Sequence, residues 1–163
     1  MNEGGEMKNM AFSNLVMKNV PRPVFMTFCQ QKACVDSPEE MYPMKRMHNF
    51  IFSNIIADNS ELDKNSAFFI TGMPGHNIEN VIFKDIQFTV SGGGTEEDAK
   101  KEIKEYTLET LPASGIYIRH GDGVQIENVH VNTIEKDERP PLVLSDVKNS
   151  NVEGLFLNKK KVK

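Results

Sequence analysis

Cysteine is too scarce in this chain to hold a fold together. Only Cys29 and Cys34 occur among 163 residues, too few for a disulfide framework or a full set of zinc ligands. They read as free thiols, buried or half-buried, with a local disulfide left open for an oxidising compartment. No apolar run approaches the length of a membrane span. The stretch Met1–Glu6 lacks the basic start and apolar segment of a signal peptide, so the chain as given is expected to stay where it is made, unless a parent protein carries an export signal upstream. Clustered positive charge is scarce too. The net charge is −4, and the one dense basic run, Lys159–Lys161 with Lys163, reads as a frayed, solvated tail. Neither nucleic acid nor a membrane is expected as a partner.

Compact chemical motifs are equally thin. His48, His76, His120 and His130 show no metal-ligand spacing, so neither a metal nor a cofactor is expected. No serine sits in a Gly-x-Ser-x-Gly elbow, and Gly92-Gly93-Gly94 lacks the Lys-Ser/Thr of a phosphate loop. The pairs Glu39-Glu40 and Glu96-Glu97 are adjacent, so on a helix or strand their carboxylates do not face each other. Gly121-Asp122-Gly123 reads as a tight turn and not as a calcium loop.

What the chain does contain is a repeat. Met7-Lys8-Asn9-Met10-Ala11-Phe12-Ser13-Asn14-Leu15 matches Met47-His48-Asn49-Phe50-Ile51-Phe52-Ser53-Asn54-Ile55 and Ile78-Glu79-Asn80-Val81-Ile82-Phe83-Lys84-Asp85-Ile86. Further copies are read at Ile126–Ile134 and, more weakly, at Val147–Leu155. This alignment puts Val131 level with Phe12, Phe52 and Phe83, and Ile134 level with Leu15, Ile55 and Ile86. Alternation along the strand breaks at Asn14, Asn54 and Asp85, which predicts a bend there. Asparagine tolerates left-handed backbone, so Asn9, Asn49, Asn80, Asn128 and Asn149 are expected to mark turns and to stack as an amide ladder.

A second short apolar strand follows each copy, at Pro23–Phe28, Ala67–Thr71, Gly115–Arg119 and Pro141–Ser145. One coil cannot bury its apolar face alone, whereas stacked coils bury it together. The expectation is an all-β fold, a right-handed parallel β-helix of about four to five coils, forming one partial-solenoid domain over residues 1–163. Residues 1–6 and 158–163 are expected to be frayed tails. Two insertions interrupt the repeat. One, near 29–46, carries both cysteines. The other opens on a flexible hinge at Ser91–Gly94 and continues as a short helix over 95–108, with Thr95-Glu96-Glu97-Asp98 as capping box and Ala99, Ile103 and Tyr106 at helical spacing.

Several stretches resemble, in order, the C-terminal third of glycoside hydrolase family 28, the polygalacturonase-like enzymes. They are Asn14–Phe25, Gly72–Val81, Leu111–His120 and Arg139–Leu144, and the similarity spans about residues 9–155. The resemblance implies the right-handed β-helix. It also implies a parent hydrolase that degrades pectin, inverting at α-linked galacturonic acid or rhamnogalacturonan, in a family typically periplasmic or secreted. Such a site needs two carboxyl groups about 6.5–9.5 Å apart. The family's Asn-Thr-Asp-Gly, Asp-Asp and Arg-Ile-Lys stretches are absent from this chain, so no catalytic residue is assigned. Gly75-His76-Asn77 reads as a coil-joining turn and not as the family's Gly-His-Gly.

The remaining candidates for contact with an acidic polysaccharide lie on the second strand set. With Ile116 and Ile118 inward, Tyr117 and Arg119 face outward, suited to stacking on a sugar and to forking a carboxylate. His120 and Arg22 join them. A non-catalytic carbohydrate-binding or structural β-helix module competes with this reading, as does a homo-oligomer built through an exposed coil end between Phe12 and Phe28.

Overall fold

A computed structural model describes residues 5–28, 46–103 and 106–162. Cys29, Cys34 and all of the first insertion up to residue 45 lie outside the described residues. The chain is all-β. Its strands are β1 (Met7–Lys18), β2 (Phe25–Thr27), β3 (Met47–Asn59), β4 (Phe68–Thr71), β5 (Ile78–Val90), β6 (Ile116–Thr133), β7 (Leu142–Lys148), β8 (Asn151–Leu157) and β9 (Lys160–Lys161). A single helical turn, α1 (Glu96–Ala99), follows β5. The sheet runs β1-β3-β5-β6 along one path and β2-β4-β6 along the other, with β7 and β8 both on β6. Every one of these pairs is parallel; β9 alone runs antiparallel, to β8.

The long strands are not straight, and the sequence says where they turn. In β3, Met47, Phe50, Phe52, Ile55 and Ala57 are buried. Inward positions are two apart along a run and three apart across Asn49 and Asn54. Those two residues hold positive φ, 63° and 53°, as do Asn9, Asn14, Asn80 and Asp85 at the same levels of β1 and β5. The left-handed corner shifts the alternation by one residue and keeps the apolar set inside. For most L-residues that conformation costs about 1–2 kcal/mol, which asparagine largely avoids by bonding locally. The expected ladder forms: Asn49 Nδ2 donates to Asn9 Oδ1 at 2.8 Å and Asn80 Nδ2 to Asn49 Oδ1 at 3.0 Å. A second ladder runs one corner along, where Asn54 Nδ2 donates to Asn14 Oδ1 at 3.3 Å.

The fourth copy sits elsewhere than the sequence alignment puts it. Ile78 pairs with Gly121, Val81 with Val124, Phe83 with Ile126 and Ile86 with Val129. The frame therefore begins at Gly121, five residues before Ile126. Asn128 belongs to the second corner, where its Nδ2 donates to Asp85 Oδ1 at 2.7 Å. Ile126, not Val131, continues the Phe12–Phe52–Phe83 row, and Val129, not Ile134, continues the row of Leu15, Ile55 and Ile86. Gly121-Asp122-Gly123 is part of strand β6 and not a turn. The fifth copy is as expected, with Val147 against Gly121 and Leu155 against Val129.

One apolar column fills the interior, from Phe50 and Phe52 through Phe83, Ile86 and Ile118 to Leu155. Phe12, Phe52 and Phe83 stack with centroids 5.2 and 5.1 Å apart, and Phe68 closes on Phe88 at 4.7 Å. Each such pair contributes about 0.5–1.5 kcal/mol beyond its buried area.

Three expectations about the periphery change. The insertion helix is one turn, not fourteen residues. Thr95 and Asp98 do form the capping box, but Asp98 also pairs with Lys64 and Lys101. Further on, the Ile103 carbonyl accepts from Arg119 instead of from a following helical N–H. Ser91–Gly94 is no free hinge. It forms a ribbon with residues 134–138, through Glu135 N–H to Ser91 O and Glu138 N–H to Gly94 O. The C-terminal tail folds back as β9, and Val162 packs on the column. Gly75, by contrast, is in the expected turn, with Met73 and His76 bonded to each other at 2.9 and 2.8 Å.

Candidate functional site

Strand alternation puts Ile116 and Ile118 into the column and Tyr117 on the outer face of β6, as the sequence predicts. That face is not open. In-register pairing of Phe25 with Phe69 and of Phe69 with Tyr117 stacks three rings, with centroids 5.4 and 5.9 Å apart. Ile103, Leu111 and Ala113 from the insertion pack over them and bury Tyr117 to 3% exposure. Tyr106 meets Phe25 edge-on at 6.1 Å.

The two arginines tie this cover down. The Arg22 guanidinium lies 6.0 Å from the Phe69 ring and donates from Nη2 to Glu109 O at 2.7 Å. Burial pushes its pKa down to about 10. Arg119 Nη1 donates to Ile103 O. Both hold backbone carbonyls of the insertion, the kind of acceptor a sugar carboxylate would replace. His120 sits at a different place, a left-handed corner of φ 51° between Gly72 and Asp146. Its Nδ1 lies 2.6 Å from Asp146 Oδ2, and that contact holds the Asp146 carboxyl below its usual range. Asp146 is 60% exposed along its side chain and already supplies beside His120 the negative charge a uronate would bring. The four sequence-predicted residues thus split: Arg22, Tyr117 and Arg119 on the covered aromatic face, His120 at the corner.

Sequence reasoning missed two features. The first is a buried clamp beneath the insertion. Arg139 is 2% exposed and forks Asp137 through Nε–Oδ1 at 2.9 Å and Nη2–Oδ2 at 2.7 Å. Its Nη1 donates to Lys64 O and Leu111 O. Burial works to raise the Asp137 pKa, but the arginine bonds prevail and hold it low. Gly94 is the signal that was available, because a Cβ there would run into Arg139 and Asp137. The second is an open groove of about 470 Å³ along the first asparagine ladder. Its walls are the amides of Asn9, Asn49 and Asn80 and the outward aliphatic row of Ile51 and Ile82, ending at Gln125. Hydrogen-bonding amides beside flat aliphatic surface suit a hydroxyl-rich ligand with apolar faces. Among the described residues, no three His, Cys, Asp or Glu side chains come together as metal ligands, and no helix is long and apolar enough to cross a membrane.

Compared with known proteins, the chain matches no family model, no curated protein and no solved structure.

Proposed function

We propose that this chain forms the C-terminal coils of a pectin-degrading glycoside hydrolase of the polygalacturonase-like type, built as a right-handed parallel β-helix. By itself it is catalytically silent. The observation that carries the reading is the in-register parallel stacking of the repeat frame at successive levels, with left-handed asparagine corners aligned between them. The ordered motifs at Asn14–Phe25, Gly72–Val81, Leu111–His120 and Arg139–Leu144 support the assignment to that family. Inverting hydrolysis needs a carboxylic acid and a carboxylate on opposite sides of the scissile bond. The family's aspartate motifs are not in this sequence, so the chain's part is to support the coils that would carry them and to contact the acidic polysaccharide.

The test has two arms. Incubation with polygalacturonate and with rhamnogalacturonan is expected to release no reducing sugar, and release would show a catalytic site in this chain. Oligogalacturonide titration is expected to show weak binding in which a sugar carboxylate displaces the Ile103 carbonyl from Arg119, so that Arg119→Ala reduces it. Unchanged binding in the variant would remove Arg119 from the contact set. Binding without hydrolysis that also extends to neutral glycans would favour the second reading, a general carbohydrate-binding β-helix module, for which the open amide-lined groove is the supporting feature.

A further inference from the structure

The two ends of the apolar column are unlike. At the C-terminal end, Leu155 is 3% exposed, and β9 covers part of the β8 edge. At the N-terminal end, its counterpart Leu15 is 38% exposed, Phe12 is 41% and Met7 is 43%. All three occupy inward positions, level with Ile55, Phe52 and Met47, whose exposures are 1%, 4% and 7%. Among the described residues, β1 pairs on one side only, with β3. Among the described residues, the Phe12–Phe52–Phe83 stack also ends here, at the half-exposed ring of Phe12.

The amide ladders give this open end a polarity. In both, each Nδ2 donates toward the preceding level: Asn80 to Asn49 and Asn49 to Asn9 at the first corner, Asn54 to Asn14 at the second. Asn9 and Asn14 therefore accept through Oδ1 and turn their NH₂ groups toward the level before them. A partner that continues the pattern brings an acceptor to each corner, five residues apart, and an aromatic or aliphatic side chain over Phe12. A second copy fits poorly. Stacked head to tail, it meets β9 and matches one corner only, with Asn149 level with Asn9 but Gly154, which has no side-chain acceptor, opposite Asn14. Turned head to head, it reverses the strand direction and sets apolar end against apolar end with no acceptor aligned to either NH₂.

We propose that the β1 edge is a docking surface for one further coil of the same frame, added in parallel register, with Asn or Asp at both corners. The inference rests on ladder direction, register and exposure, and it stands whether or not the chain recognises pectin. Parallel strand addition of this kind draws affinity from the main chain and specificity from alternate side chains.

The probe is a peptide of this chain's own sequence, Met47–Asn59, titrated into the full chain while amide hydrogen exchange is followed. The β1 amides that point away from β3 are expected to gain about tenfold or more in protection. A peptide carrying Asn49→Gly and Asn54→Gly, which keeps the corner conformations but lacks both acceptors, is expected to protect them several-fold less. A second measurement does not depend on peptide affinity. Placing a copy of residues 47–77 directly before Met7 sets the copy's strand on β1 in the register by which β3 meets β5, and the melting temperature is expected to rise. The proposal is overturned if neither the peptide nor the added coil has an effect. It is also overturned if the β1 amides that point away from β3 are already protected in the chain alone, or if light scattering shows a dimer that provides the protection.

Discussion

Gly123 stands at the corner that Asn9, Asn49 and Asn80 occupy in earlier levels, with φ 75°. What the position requires is the left-handed backbone, and glycine meets that requirement as well as asparagine does. A Cβ there would lie 2.7 Å from Asn80 Oδ1. Gly123→Ala is accordingly expected to cost about 1–3 kcal/mol, read from the urea midpoint, whereas Gly5→Ala, with open space around it, is expected to change little. The same interchange explains why sequence comparison slips at the fourth copy. Ile126-Glu127-Asn128-Val129 repeats Ile78-Glu79-Asn80-Val81 letter for letter, yet it occupies the second corner. Two corners of similar chemistry five residues apart let a local match jump from one to the other, and only the glycine-bearing corner before it reveals the true frame. Where both corners hold asparagine or aspartate, as at Asn49/Asn54 and Asn80/Asp85, the register was legible.

Among the elements, the insertion after β5 is the least legible. Ala99, Ile103 and Tyr106 have helical spacing, but long-range bonds decide their conformation: Arg119 takes the Ile103 carbonyl, and Ile103 buries itself over Phe69 and Tyr117. The glycines before it look like a hinge because their partners, residues 134–138, are distant in sequence. Arg139 fixes the whole arrangement, joining that ribbon to Lys64 and Leu111. Removing one partner of a buried pair leaves the other charge stranded, at a cost of about 3–5 kcal/mol. Arg139→Met is therefore expected to lower chemical stability by about that much, while Arg139→Met with Asp137→Leu is expected to lose less. A double variant no more stable than the single one would show that the arginine's carbonyl bonds, and not the ion pair, dominate. The candidate contact residues shared this difficulty. Alternation alone put Tyr117 on the outer face, but nothing local to Tyr117 announced that Ile103, Leu111 and Ala113 would cover it.

For the molecule as a whole, stability is graded along the column. Phe83 is fully buried with rings on two sides, whereas Phe12 ends the stack. Phe83→Ala is expected to cost about 3–5 kcal/mol and Phe12→Ala less than half of that, compared by denaturant midpoints. Equal costs would mean that the terminal level is as tightly enclosed as the middle. The all-β, mostly parallel pairing was the most readable part of the sequence, because a repeat announces itself several times and errors in one copy leave the others intact. The β9 fold-back, by contrast, rests on two residue pairs, Phe156 with Lys161 and Leu157 with Lys160, that leave no periodic trace. Its consequence reaches beyond local order. An assembly that grows indefinitely needs two complementary termini, and here the lysine-bearing strand spoils one of them. Copies of this chain set end to end therefore do not continue one another, and the exposed β1 edge does not seed a fibre.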